Sequence, residues 1–340
     1  MANPINEPAG DRLARLKQKE AALRKRLLQS ALLAVTALIA VCAVGIAWFV
    51  NNSRVTGSGV QVQTSGPPFE LASVGSTPVP TESGATSGES YTTNNVIYSA
   101  TTGAKTLVTW LVDANSNLRN HAPATGLQPG TNGKLTFYVI PKQENLGAVN
   151  CSFEVIPYGD AAAGATETIT INDKRYAPLP TESRASALLQ GHLLFFAGYN
   201  ASNNTYATRL TADTPFKSTD LDATQGEMKT TDPVPFTIYW IWPEQFKQYA
   251  DTGTNHLFAA PGEAGSDYNK LIADINANKG KYFADDTPSY AVPNTVPEVS
   301  HGMSSYNLDQ CSSFYNNADQ CLGSTVKYLM LRLSVTEGGA

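Results

Sequence analysis

The sequence predicts an all-β protein, a two-sheet β-sandwich of jelly-roll type with short helical insertions, preceded by an N-terminal signal or transmembrane helix. Three observations carry this. Many short runs rich in β-branched and aromatic residues are joined by Gly- and Pro-containing connections. From Ser30 to Val50 no residue is charged, and at about 1.5 Å per residue such a helix just crosses a hydrocarbon core of about 30 Å. In the last run, Leu329, Leu331, Leu333 and Val335 alternate with Tyr328, Met330, Arg332 and Ser334, as one buried and one open face of a strand do.

Residues 1–28 form a basic lead-in, with seven basic side chains (Arg12, Arg15, Lys17, Lys19, Arg24, Lys25, Arg26) against Glu7, Asp11 and Glu20. Arg24-Lys25-Arg26 stands directly before the apolar segment 29–50, which places the N-terminus in the cytoplasm and everything from residue 51 outside. The whole chain carries a net charge of -5; without the lead-in 17 basic residues face 26 acidic ones, which argues against nucleic acid as a partner.

Residues 51–66 read as an extended segment in which Val60 and Val62 alternate with glutamines behind Val55 and the hinge Gly57-Ser58-Gly59. Residues 67–95, rich in Ser, Thr, Gly and Pro, read as linker or long surface loop. The ectodomain, 96–340, has strand signals at Val96–Ser99, Thr106–Val112, Lys134–Ile140, Val149–Ile156, Thr166–Ile171, His192–Ala197, Tyr206–Leu210, Pro235–Trp242 and Val326–Val335. Helical spacing appears at Arg184–Gln190, Asp267–Asn278 and Ser305–Gln320, as packing elements. Tyr199 to Asn204 reads as a hairpin loop.

Chemistry is sparse. Asp251-Thr252-Gly253-Thr254 matches the short motif of aspartic peptidases, but that chemistry needs two carboxylates sharing a proton and a single copy occurs. No Cys-x-x-Cys, His-Glu-x-x-His or Gly-x-Ser-x-Gly is present, so the sequence offers no catalytic residue and no cofactor. Asp220, Asp222 and Glu227 crowd oxygen ligands into one polar segment, a weak calcium candidate whose spacing fails the EF-hand pattern. Trp110, Trp240 and Trp242 in alternating strands read as core. Cys311 and Cys321 flank a short polar stretch and form the expected disulfide of an exported chain, whereas Cys151 sits in the apolar phase of a strand as a small hydrophobe. Asn203-Asn204-Thr205 is a glycosylation sequon consistent with an exposed loop.

At Ala47-Trp48-Phe49 an apolar run ends in alanine followed by aromatic residues, a polar stretch Asn51-Asn52-Ser53 and the strand Val60-Gln61-Val62. This junction resembles the SipW-dependent signal peptides of Gram-positive TasA and camelysin-type secreted proteins, with cleavage between Ala47 and Trp48. Leu127-Gln128-Pro129-Gly130 leading into Lys134-Leu135-Thr136-Phe137 is similar to a turn and strand of that group. The resemblance implies a jelly-roll subunit secreted to the cell surface and assembling into biofilm matrix fibres, an N-terminal strand completing the neighbour's sheet.

Two classes of function follow. In the first, a non-enzymatic surface or matrix protein self-associates when Val55, Val60 and Val62 of the freed segment add to the next subunit's sheet. In the second, segment 30–50 stays in the membrane as a single-pass anchor and the ectodomain binds a ligand or a partner protein. A secreted peptidase is a third reading that rests on family association alone.

Overall fold

The computed structural model describes residues 66–73, 96–102, 105–112 and 128–338 except 172, 213, 251–255, 259–265 and 287, together with Glu20 and the strand pairs 56–57 and 60–61. The junction Ala47/Trp48, Val55, Val62, the apolar segment 29–50 and Asp251-Thr252-Gly253-Thr254 therefore lie outside the described residues. The chain divides into two units, Met1–Gly66 and Pro67–Ala340. Among the described residues no helix is long and apolar enough to cross a membrane.

In the first unit β1 (Thr56–Gly57) pairs antiparallel with β2 (Val60–Gln61), Gly57 opposite Val60. The expected continuous extension is thus a small hairpin here.

The second unit holds two antiparallel sheets. Five strands, β3 (Phe69–Ala72), β6 (Asn132–Pro141), β10 (Leu194–Asn200), β11 (Thr205–Leu210) and β13 (Val234–Ile241), run in the order β11-β10-β13-β6-β3. The seven-stranded sheet runs β4 (Val96–Thr102), β5 (Leu107–Val112), β14 (Tyr328–Glu337), β7 (Val149–Asp160), β9 (Lys174–Pro178), β8 (Ile169–Ile171), with β12 (Phe216–Lys217) also on β7. The β10–β11 hairpin turns at Tyr199–Asn204 as its sequence predicts. Strands β3, β9 and β12 carry too few residues of clear alternation to stand out in the sequence.

Both sheets feed one apolar cluster. Leu329, Leu331, Leu333 and Val335 of β14 are buried with Phe137 and Val139 of β6, Phe236 and Trp240 of β13, and Trp110 of β5. Each such leucine contributes about 1.5–3 kcal/mol. The other face of the five-stranded sheet carries a second cluster, in which Leu194, Phe196 and Ile241 meet α3 (Lys247–Ala250), α4 (Asp267–Ala277) and α5 (Ser305–Thr325). Two further helices, α1 (Arg184–His192) and α2 (Ser218–Leu221), lie between strands. Ser183, Ser266 and Ser304 cap α1, α4 and α5 by accepting the N–H of the residue three positions on, which satisfies one open donor of each first turn.

The expected disulfide is corrected. Cys311 and Cys321 are free thiols on the single helix α5, one in each cluster. Ten positions of helix separate them by about 15 Å, whereas a disulfide needs Cα atoms about 4.4–6.8 Å apart. Burial raises both thiols, Cys311 to about 11.

Candidate functional site

Two polar constellations stand out in the second unit. The first is buried beneath the helices. Both ring nitrogens of His192, at the end of α1, face acceptors: Nδ1 is 2.8 Å from Asp319 Oδ1 and Nε2 is 3.0 Å from the Tyr282 carbonyl. Each ring nitrogen thus has an oxygen within hydrogen-bond distance. Asp319 Oδ1 also accepts from Trp242 Nε1 at 2.8 Å, and the imidazole stacks on Tyr315 with centroids 4.1 Å apart. Tyr249 donates to the Gly191 carbonyl and Tyr315 to that of Pro243, each at 2.9 Å, and burial pushes both hydroxyls well up. His192 is wholly buried with both nitrogens occupied, and it ties α1 to α5.

The second constellation is a groove of about 720 Å³ between the two sheets. One wall is a run of β7, Phe153 to Pro157; the opposite wall comes from α1, β10 and the end of β11, with Leu189, Leu193, Phe195 and Leu210. At its rim Arg209 Nη2 lies 2.8 Å from Asp274 Oδ2, and the Tyr282 hydroxyl donates to the same carboxylate. Burial opposes the charge of Asp274, but the bond from Tyr282 and the guanidinium outweigh it and hold the carboxyl below its ordinary range. Arg209 Nε has no partner among the described residues.

The β7 wall is an interrupted sheet edge. On it Val149 donates its N–H to Ser218 Oγ at 3.0 Å, Cys151 pairs with Phe216, and the Pro157 carbonyl accepts from the Leu179 N–H at 2.8 Å. Past the strand, the Ala161 N–H donates to the Arg175 carbonyl at 3.1 Å. Neighbouring residues of an antiparallel strand turn their backbone groups to opposite edges, so the odd-numbered residues of β7 face this edge and the even-numbered ones face β14. The Tyr158 carbonyl, bonded to the Lys327 N–H at 2.7 Å beyond the start of β14, keeps to that alternation. Phe153 and Val155 are the odd-numbered residues left between β12 and β9. Their N–H and C=O groups have no partner among the described residues. Two donors and two acceptors thus line a groove with an apolar far wall, the arrangement that takes up an extended chain.

Of the residues singled out in the sequence, Val60 lies in β2 of the first unit. The calcium candidates are committed elsewhere. Asp220 Oδ2 accepts the Lys217 N–H at 2.7 Å, Asp222 Oδ1 accepts from Thr224 N–H, Thr224 Oγ1 and Gln225 N–H, and Glu227 is exposed apart from them. These bonds close a turn, lower Asp222, and leave the two aspartates bonded to their own backbone. No group of three or more His, Cys, Asp or Glu able to hold a metal occurs among the described residues. Trp110, Trp240 and Trp242 are buried, as is Cys151, whose thiol burial pushes up to about 12.

The open edge escaped the sequence reading, although one residue signals it. Pro157 stands inside β7, and a proline within a strand marks a position whose neighbour makes no demand for its N–H. No family model, no curated protein and no solved structure matches this chain.

Proposed function

We propose that this chain is a non-enzymatic structural subunit of a cell surface or extracellular matrix, exported through its apolar segment 29–50 and assembled by adding its N-terminal segment to a neighbour's sheet. The observation that carries the reading is the vacancy at Phe153 and Val155, bounded at both ends by paired strand and backed by leucines. Backbone bonds there would supply affinity and the apolar wall would supply register.

Connectivity supports exchange between copies. The chain enters the second unit at β3, one edge of the five-stranded sheet, while the groove is walled by β11 and β10 at the other edge. Donation from one copy into the β7 edge of the next is heterologous, and yields filaments wherever the rotation between copies does not close a ring. In this reading the two sheets form a jelly-roll-like sandwich, and cleavage at Ala47/Trp48 frees the donor.

N-terminal sequencing of protein stripped from cell surfaces, with electron microscopy of the same material, tests this. A start at Trp48 and filaments are expected; a start at Met1 with carbonate-resistant membrane retention overturns it. That outcome would favour the second reading, an anchored ectodomain, for which the groove with its Arg209–Asp274 rim is the ligand site.

A further inference from the structure

Resting on the reading of the chain as a strand donor, we infer that residues 59–63 of a second copy lie antiparallel along β7 in one register, Val60 opposite Val155 and Val62 opposite Phe153. Every pairing in the seven-stranded sheet is antiparallel, and a strand inserted between β12 and β9 continues both. The vacancy fixes its length: Cys151 is already paired with Phe216 and the Pro157 carbonyl with Leu179, so five residues of β7, 152–156, are open.

Side-chain direction then fixes which residues go in. Phe153 belongs to the shared apolar cluster and Val155 packs against it, while Glu154 points away to Arg332 on the outer face. Directly opposed residues share a face, so whatever sits across from Phe153 and Val155 faces Leu193, Phe195 and Leu210 and also exchanges the backbone bonds. Alternating valines satisfy both demands, with Gln61 and Gln63 directed outward.

Sliding by two residues fails in either direction. With Val60 opposite Phe153, Val62 meets Cys151, which Phe216 occupies; with Val62 opposite Val155, Val60 meets Pro157, which lacks an N–H and has its carbonyl taken. Sliding by one turns the glutamines inward. Thr64 arrives at the occupied Cys151 position, and Ser65-Gly66-Pro67-Pro68 after it is a sequence that leaves a sheet. Insertion opens the β1–β2 hairpin of the donor, whose two residue pairs are too few to persist alone.

The test uses the full chain with paired cysteines on the outer face, where Gln61 and Glu154 come opposite each other at a non-hydrogen-bonded position with Cα atoms about 4.5 Å apart. Q61C/E154C, oxidised under assembly conditions, is expected to give a ladder of covalent multimers on a non-reducing gel, at least tenfold stronger than Q63C/E154C. Equal unfolding midpoints for both variants and the unaltered chain show that the fold is kept. A ladder from Q63C/E154C instead overturns the register and leaves strand donation standing. Filaments without either ladder overturn β7 as the acceptor. Chains that stay monomeric without any substitution overturn the donor reading itself.

Discussion

Strands β14 and β7 lie side by side, and their sequences alternate in the same way, yet they are held differently. β14 is paired on both sides, with β5 from Leu329 to Ser334 and with β7 along its whole length. β7 has one side paired without a break from Val149 to Tyr158 and one side that stops at Cys151 and resumes at Pro157. Alternation of apolar and polar residues reports which face of a strand is buried. It carries no information about the edges, because backbone bonds run perpendicular to the side chains.

Proline substitution separates the two strands most sharply. Leu331→Pro removes a ladder bond and a buried leucine from a strand with no open side, and is expected to cost about 3 kcal/mol or more. Val155→Pro removes an N–H that faces the vacancy, so a cost of about 1 kcal/mol is expected, with assembly lost. Urea titration reads the first difference and sedimentation the second. Equal destabilisation by the two substitutions would mean that the outer edge of β7 is occupied after all.

Thiol chemistry gives a second, smaller contrast. Cys151 belongs to the paired part of β7, and burial pushes its thiol up to about 12, which keeps it in the unreactive thiol form near neutral pH. Cys311 and Cys321 are raised by burial as well. Against that background a Val155→Cys thiol in the groove wall should be alkylated at least tenfold faster than Cys151, Cys311 or Cys321 in the monomer, and be protected in filaments. Labelling that ignores assembly would place the contact elsewhere.

Much of the fold was legible because burial follows side-chain pattern. The β14 alternation, the β10–β11 hairpin and the three longer helices are all visible in spacing, and the structure mostly extends them, as Ser305–Gln320 becomes Ser305–Thr325. The site was not legible, since it is made of two backbone donors and two backbone acceptors whose solitude depends on where β12 and β9 end. Pro157 was its single local sign. Cysteine spacing misled for a related reason: ten residues can close a loop or span a helix, and the capping serine Ser304 decides for the helix.

The weakest contrast is between two edges rather than two strands. β3 is an edge of the five-stranded sheet held on β6, and its Glu70 carboxylate takes Lys105 Nζ at 2.8 Å and Lys142 Nζ at 3.1 Å, so this edge is pinned by charge where the β7 edge is bare. The bonds from Lys105 and Lys142 hold the Glu70 carboxyl below its ordinary range despite some burial. A folded value lower than the unfolded one, about 4.3, stabilises the folded state above that pH, and the contribution fades as pH falls through the folded value. Because the carboxylate is 31% exposed, solvent screening limits the effect to less than about 1 kcal/mol. Glu70→Gln is therefore expected to lower stability slightly at pH 7, to match the unaltered chain once the pH has fallen below the folded value of the carboxyl, and to speed amide exchange at Leu71, whose N–H bonds the Lys105 carbonyl. If the variant instead loses the same stability at every pH, Glu70 holds β3 by packing alone, and the strand next to the donor segment is no more pinned than the groove that receives it.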